Sequence, residues 1–410
     1  MKRETPAPSR GRARSRQEPP VPSDADLLAA GRVRALDLLA GNLTPHGILA
    51  ASSTAEARSR AYDNVFARDA AICALAMMRC GNARMTDGAK ASLRTLALHQ
   101  AGNGQIPKFV SPRDAHADFW YVGCIDATLW WLIAVRLTLR RDPDPRFERE
   151  LRGAAAKALD WLRCQEHPRL HLLQQNEASD WADIMPRSGF VLYSNALWFY
   201  VKRLYGLERA AETKKHANHL FFPFSRDVPE YHRLQLLMNY ARREANNRDL
   251  YLSFVNFSFW GDEGDVFGNL LAVLLGLADP ARARRIVRTL ERAEIERPYP
   301  VRTVLTPLRR RDRLWRAYME RHEQNHEHQY HNGGAWPMIG GFWVMALAAV
   351  GRKARARAAL VQLARACAAN DWAFQEWFHG RSGAPGGMRG QSWSAAMLLL
   401  AEFGLDHKDF

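Results

Sequence analysis

Between residues 322 and 337 the chain reads HEQNHEHQYHNGGAWP, placing four histidines and two glutamates within ten residues. His322 and His326 enclose an HExxH pattern, which on an α-helix sets two imidazoles one turn apart for zinc and leaves the glutamate as a base. The extended form of that motif needs Gly three and His six residues after the second histidine, where this chain has Gln329 and Asn332. The pattern also ends a highly charged run, RRRDRLWRAYMERHEQNH, rather than sitting in an apolar-faced helix. No metal is therefore expected. QYHNGGAWP reads instead as a sharp turn that presents Tyr330, His331 and Trp336 to a pocket, its glycines allowing close backbone approach.

Two further stretches mix carboxylates with aromatics. EASDWADIMPRSG (177–189) holds Asp180, Trp181 and Asp183, and WAFQEWFHG (372–380) holds Glu376 ahead of the glycine-rich GRSGAPGGMRG. YDNVFARD contributes Tyr62, Arg68 and Asp69, YVGCID contributes Asp126, and QSWSAA contributes Gln391 and Trp393. Flat aromatic faces stack on sugar rings while carboxylates and amides bind hydroxyls, so this mixture suits a carbohydrate pocket. Hydrolysis of a glycosidic bond usually takes two carboxyl groups, one on each side of it. For Asp69 and Asp126 helix N-capping competes with a pocket role, because Asp is favoured there by geometry and by the helix dipole.

Helical periodicity dominates the chain and period-2 alternation is scarce. Each of six acid- or aromatic-rich loops leads into a strongly apolar helix: ARDAAICALAMMR, ATLWWLIAV, NALWFYV, VFGNLLAVLL, MIGGFWVMALAAV and SWSAAMLLLAEF. More charged helical stretches alternate with them. A helix apolar all round must be enclosed, whereas an amphipathic one can face water. The pattern predicts an all-α fold, an (α/α)6 double-layer toroid with all six loops gathered at one mouth.

The 410 residues are 47% hydrophobic, enough for a large core, and carry a formal charge of +15. Much of the excess lies in MKRETPAPSRGRARSR at the start and in LRRRDRLWR at 308–316, with no nucleic-acid motif beside it. Residues 1–22 read as a disordered basic tail and 23–410 as one catalytic domain. Five scattered cysteines without a CxxC pair suggest no disulfide framework or zinc ribbon. No signal peptide and no run of 18 apolar residues is seen, so a cytoplasmic protein without membrane or nucleic-acid partners is expected. The sequence leaves homo-oligomerisation open.

Taken together, YHNGGAWP, YDNVFARD, CIDATLWWLIAVR and QSWSAA resemble YHNGGSWP, YDQVFVRD, PVDSGLWWIILLR and QTWSIA of the alkaline/neutral invertases, glycoside hydrolases with an (α/α)6 barrel. The resemblance implies inverting hydrolysis of sucrose or a related small glucoside, without metal or cofactor. It implies Asp183 as general acid, with Asp180 the competitor, and Glu376 as general base. Tyr62, Arg68, Asp69, Asp126, Asp180, Trp181, His331, Trp336, Gln391 and Trp393 would bind the sugar. Apolar surroundings and the neighbouring Asp180 should raise the pKa of Asp183, and Glu376 should be ionised. Two loops depart from the family, WADIMPRSG standing for MIDRRMG and GGMRG for GKQA. SNALWFY also resembles the amylo-α-1,6-glucosidase-like proteins, which share the toroid. Two further readings are a sugar epimerase or isomerase using His331 and His379, and a non-catalytic carbohydrate-binding toroid.

Overall fold

The computed structural model describes residues 23–406 apart from 121–122, 225–231 and 257–258. The expected disordered tail, Tyr121 and the His322 side chain lie outside the described residues. Fourteen α-helices occur among those described: α1 (Asp24–Asn42), α2 (Ala55–Ser59), α3 (Ala67–Met77), α4 (Ala83–Leu98), α5 (Ile125–Arg141), α6 (Pro145–Gln165), α7 (Leu192–Tyr205), α8 (Ala210–Leu220), α9 (His232–Glu244), α10 (Val266–Leu274), α11 (Pro280–Arg292), α12 (Pro337–Ala349), α13 (Lys353–Trp372) and α14 (Ser392–Asp406). Helices α3, α5, α7, α10, α12 and α14 each pack on the next, and α14 returns to α3. The inner ring is closed. Outside it, α4 covers α3 and α5, α6 covers α5, α8 covers α7, α11 covers α10, α13 covers α12 and α14, and α1 covers α14. This is the double-layer (α/α)6 toroid.

The two layers are built from different sequence patterns. Every residue of α3 is buried, as an apolar helix enclosed on all sides requires. In the outer helix α11 only Ala283, Ile286, Val287 and Leu290 are buried, an i, i+3, i+4, i+7 stripe with arginines between. Burying each large aliphatic side chain of that stripe contributes roughly 1.5–3 kcal/mol. Inner helices also need small residues where they touch. A Cβ on Gly341 of α12 would stand 2.8 Å from the Met397 carbonyl of α14, so this pair closes only on glycine.

Helix entrances mostly differ by layer too, the exceptions being outer helices α8 and α13, which lack a side-chain cap, and inner helix α10, which Asp265 caps. The outer helices α1, α4, α6 and α11 are capped by Ser23, Asn82, Asp144 and Asp279, whose side chains accept from first-turn N–H groups. Of the inner helices, α3, α5, α7 and α12 start at Phe66, Cys124, Val191 and Trp336 with no side-chain cap. Asp69 and Asp126 thus lie in first turns without being capping residues. Short antiparallel strands hold the chain just before several inner helices. Val65–Phe66, Phe109–Val110 and Ala117–Asp118 form one sheet, and Gln174–Gln175, Gly189–Val191, Phe254–Val255 and Trp260–Gly261 form another. Trp377–Phe378 pairs with Pro385–Gly386. With two or three residues each, they carry no periodicity for a sequence to show.

Candidate active site

At the end of the ring where the inner helices begin, the loops enclose a cavity of about 630 Å³. Its wall includes nine of the twelve expected site residues: Tyr62, Arg68, Asp69, Trp181, Asp183, His331, Trp336, Glu376 and Trp393. The other three, Asp126, Asp180 and Gln391, are buried behind it. All three lie off the wall, and both amide atoms of the Gln391 side chain are buried without a hydrogen-bond partner among the described residues. Asp126 accepts from Arg68 Nη1 at 3.0 Å, Tyr193 Oη at 2.8 Å and Cys124 Sγ at 3.2 Å, so it fixes the arginine that does reach the cavity. Asp180 accepts from Gln175 Nε2 at 3.0 Å and the Ala182 N–H at 2.8 Å, closing the turn that carries Asp183. Gln391 is tied through its backbone N–H to the Phe374 carbonyl at 3.1 Å, two residues from Glu376.

The loop bearing Asp183 is anchored from both sides. The Ile125 N–H of α5 donates to the Ser179 carbonyl at 3.0 Å. Arg187, fully buried, reaches Asp265 Oδ1 at 3.0 Å at the start of α10. Asp183 itself receives a hydrogen bond from Lys108 Nζ at 3.2 Å and stands 3.9 Å from His331 Nδ1. Burial pushes this carboxyl up, but the positive charges facing it, Lys108 foremost, outweigh burial and hold it below its ordinary value. Asp180 does not prevent this, because its carboxylate is turned to Gln175 and the Ala182 N–H.

Glu376 enters from the strand pair at the opposite end of the sequence. Its Oε1 accepts from Tyr62 Oη and its Oε2 from the Met388 N–H, each at 2.8 Å. A Cβ at Gly387, where φ is +70°, would stand 2.2 Å from Oε2, so glycine is needed to let the carboxyl in. Burial pushes Glu376 up to about 7, with Asp69 and Asp183 adding to the rise against the two hydrogen bonds. The expected order is therefore reversed. Below about pH 7 Glu376 keeps the proton while Asp183 is ionised, because the ammonium of Lys108 lies against Asp183 and no cation is hydrogen-bonded to Glu376 among the described residues. Asp69 is raised to about 6 by burial, against Arg68.

Aromatic rings floor the cavity. His331 stacks on Trp336 at 15°, and Trp181 stands edge-on to both. The indole N–H groups of Trp181 and Trp393 and Nδ1 of His331 make no hydrogen bond among the described residues. They are buried polar atoms without such a partner in the lining of the cavity. Burial, then the nearby cations, push His331 down to about 3, so its ring is neutral. His379 is not on the wall, and its Nδ1 accepts from the Arg381 and Ser382 N–H groups. An isomerase using these two as an acid–base pair lacks its geometry.

The HExxH stretch is not α-helical. A 3₁₀ helix spans Ala317–Glu323 and ends with Glu323 at φ +51°, while His326 stacks on Trp315. Among the described residues, no three His, Cys, Asp or Glu side chains converge as a metal ligand set.

Other wall residues were not foreseen as ligands. Lys108 and Trp120 come from the segment before α5, and Glu177, Tyr318, Arg321 and Gln324 close the mouth. Glu177 accepts from Tyr318 Oη at 2.7 Å and Arg316 Nε at 3.1 Å, tying the arginine-rich strap to the Asp183 loop. Only Glu177, at the head of EASDWAD, carried a signal in the sequence.

Comparison with known proteins adds two findings. The family model for alkaline and neutral invertase matches residues 254–407, a stretch that includes His331, Trp336, Glu376 and Trp393 but not Asp183. Cytosolic invertase 1 of Oryza sativa subsp. japonica is 28% identical over 146 residues, 34% of this chain and 25% of that protein. Probable alkaline/neutral invertase D of Arabidopsis thaliana is 31% identical over 146 residues, 34% of this chain and 26% of that one. The match thus spans about a quarter of each curated relative's length. Among solved structures, the GH63 mannosylglycerate hydrolase of Thermus thermophilus, in complex with Tris and D-glycerate, superposes with TM-score 0.63 at 17% identity, over 90% of this chain and 99% of that one. A rhamnosidase from Klebsiella oxytoca with rhamnose bound gives 0.61 at 13% identity, over 92% and 64%. A glycosidase E335A in complex with glucose gives 0.58 at 16%, over 93% and 97%. The chain has the toroid fold of these glycosidases over nine-tenths of its length, and over residues 254–407 it resembles the alkaline and neutral invertases.

Proposed function

We propose that the protein is a glycoside hydrolase that cleaves sucrose or a related small glucoside with inversion. One observation carries this reading: Asp183 and Glu376 line the same aromatic cavity with opposite preferences for a proton. Glycoside hydrolysis by a carboxyl pair needs one protonated and one ionised group, and inversion is what the invertase resemblance implies. The acid protonates the leaving oxygen as the glycosidic C–O bond breaks, and the base takes a proton from the water that attacks the anomeric carbon. The invertase resemblance gives the acid role to Asp183 and the base role to Glu376. Below about pH 7, before sugar binds, the proton favours Glu376, so binding has to bring it to Asp183 before bond cleavage. His331, neutral and stacked on Trp336, serves as a wall and hydrogen-bonding group. Arg68, held by Asp126, reaches hydroxyls.

The test is turnover on a panel of sucrose, trehalose, maltose and isomaltose, with Asp183→Asn and Glu376→Gln as variants. Each should lower turnover by about 10²–10⁴-fold. A glucoside with a strongly acidic leaving group needs no protonation and should restore Asp183→Asn but not Glu376→Gln. Restoration of Glu376→Gln instead would reverse the roles. Should Asp180→Asn be inactive while Asp183→Asn turns over normally, the pair itself is wrong.

A second substrate reading has its own observation. Arg60 and Arg321 line the same cavity, and Arg321 has no ion-pair partner among the described residues. These cations suit an aglycone bearing a carboxylate, like the glycerate unit named for the Thermus enzyme. A glucoside of that kind belongs in the panel. A cytoplasmic location is supported by one relative being named a cytosolic invertase. No helix among the described residues is long and apolar enough to cross a membrane.

A further inference from the structure

The side chain bonded to Asp183 is a lysine whose place is fixed by the fold. The Lys108 N–H donates to the Asp118 carbonyl at 2.7 Å, and its carbonyl accepts from the N–H of Ala67, the first residue of α3, at 2.9 Å. Its ammonium lies 3.9 Å over the centre of the Trp120 ring and 3.2 Å from Asp183 Oδ2. Only 12% of the side chain is exposed. Among the described residues, no other side chain hydrogen-bonds the Asp183 carboxyl.

Other groups face Asp183 from every side of the cavity. Arg68 and Asp69 project from α3, Asp69 also interacting with Lys108 and Glu376, His331 and Tyr330 come from the turn before α12, Tyr62 from the segment before α3, and Glu376 from the strand pair before α14. Arg68 is committed to Asp126 at 3.0 Å. His331 is uncharged, and Tyr62 is hydrogen-bonded to Glu376. Lys108 supplies the positive charge in direct contact with Asp183.

We propose that Lys108 is the positioning residue of the carboxyl pair: it fixes Asp183 on the cavity wall and keeps the pair singly protonated well into the acid range. The inference rests on the reading of Asp183 and Glu376 as the catalytic pair. It holds whichever of them donates the proton, because the working form in either case has one proton between two carboxyls. Without the ammonium, Asp183 takes up a second proton at a higher pH, and the ionised group needed for water activation or proton return disappears earlier.

The experiment uses the full-length chain with Lys108→Met and Lys108→Arg. The Asp183 carboxyl is titrated by NMR in protein labelled with ¹³C at aspartate side chains, its signal assigned by loss in Asp183→Asn. In parallel, kcat/KM for an uncharged glucoside is followed with pH. In Lys108→Met the Asp183 signal should titrate at higher pH than in the native protein, and the acidic limb of kcat/KM should move up with it. Activity near pH 4.5 relative to pH 6.5 should fall several-fold, and Lys108→Arg should recover most of that ratio. The readout is the position of the limb, not the height of the plateau. A uniform loss at all pH values with the limb unmoved would leave Lys108 a purely structural residue and overturn the proposal. So would an unchanged Asp183 titration. If the native protein cleaves no glucoside, the hydrolase reading falls, and the NMR titration alone decides whether Lys108 sets the charge of Asp183.

Discussion

Replacing Glu376 with glutamine should make the protein more stable at alkaline pH while abolishing the proposed chemistry. Burial holds the Glu376 carboxyl at about 7, against 4.5 for the free side chain. Between those values the folded protein keeps a proton that the unfolded chain has lost. Folding is therefore helped at low pH, and stability falls as pH rises through the window. The span of about 2.5 units corresponds to about 3 kcal/mol, fully lost above pH 7. Glu376 is only 3% exposed, so solvent screening takes little from this figure. Glutamine is neutral at every pH and fits the same bonds, its carbonyl accepting from the Met388 N–H and its amide donating to Tyr62 Oη. Asp69, raised to about 6, gives native and variant proteins a similar background slope that largely cancels in the comparison. Urea unfolding of both at about pH 5 and about pH 8 gives the test. The variant's advantage should grow by about 2.5 kcal/mol between the two pH values, pH 5 already lying inside the window. An advantage that does not change with pH would mean that Glu376 is not the buried, protonated group argued here.

Three further outcomes are expected. The pH profile of kcat/KM for an uncharged glucoside should be bell-shaped, with an alkaline limb near 7 as Glu376 loses the last shared proton and an acidic limb below the usual aspartate range; a profile flat from about pH 6 to 9 would contradict it. Glu177→Ala removes the acceptor of Tyr318 and Arg316, so the strap should loosen and KM should rise more than kcat falls. Equal KM values for variant and native protein would show that the tie has no part in binding. Gly387→Ala puts a Cβ 2.2 Å from Glu376 Oε2 at a φ of +70°, and should cost about 1–3 kcal/mol of stability and most turnover although no reacting group is lost. Native thermal stability and turnover in that variant would rule out the close approach.

The ring could be read from the sequence because its signals are local. Each inner helix announces itself by an apolar run such as VFGNLLAVL, and each outer one by a stripe such as that of α11. Helix α1 gives a weaker signal, because its buried positions, Gly31, Ala35, Leu39 and Asn42, include only one large apolar side chain. The site was legible at the level of residue type and misleading at the level of role. Asp126 and Asp180 look the same in sequence as Asp69 and Asp183, since an acid that braces an arginine or closes a turn occupies the same kind of loop end as one that faces the cavity. What separates them is reach to the cavity wall, which Asp69 and Asp183 have and Asp126 and Asp180 do not, and that depends on the whole fold. Protonation was the least legible feature. Asp180 and Trp181 stand beside Asp183 in the chain and suggested a raised pKa, yet the Asp180 carboxylate is turned to Gln175. The group that decides the charge of Asp183 is Lys108, 75 residues away in sequence and 3.2 Å away in space. It lies in QIPKFV as a lone lysine with no motif around it, and becomes informative only when the short sheet before α3 and the loop after α6 meet at the same mouth. Chain neighbours supply the residue types of this pocket, and through-space neighbours set which of its two carboxyls holds the proton.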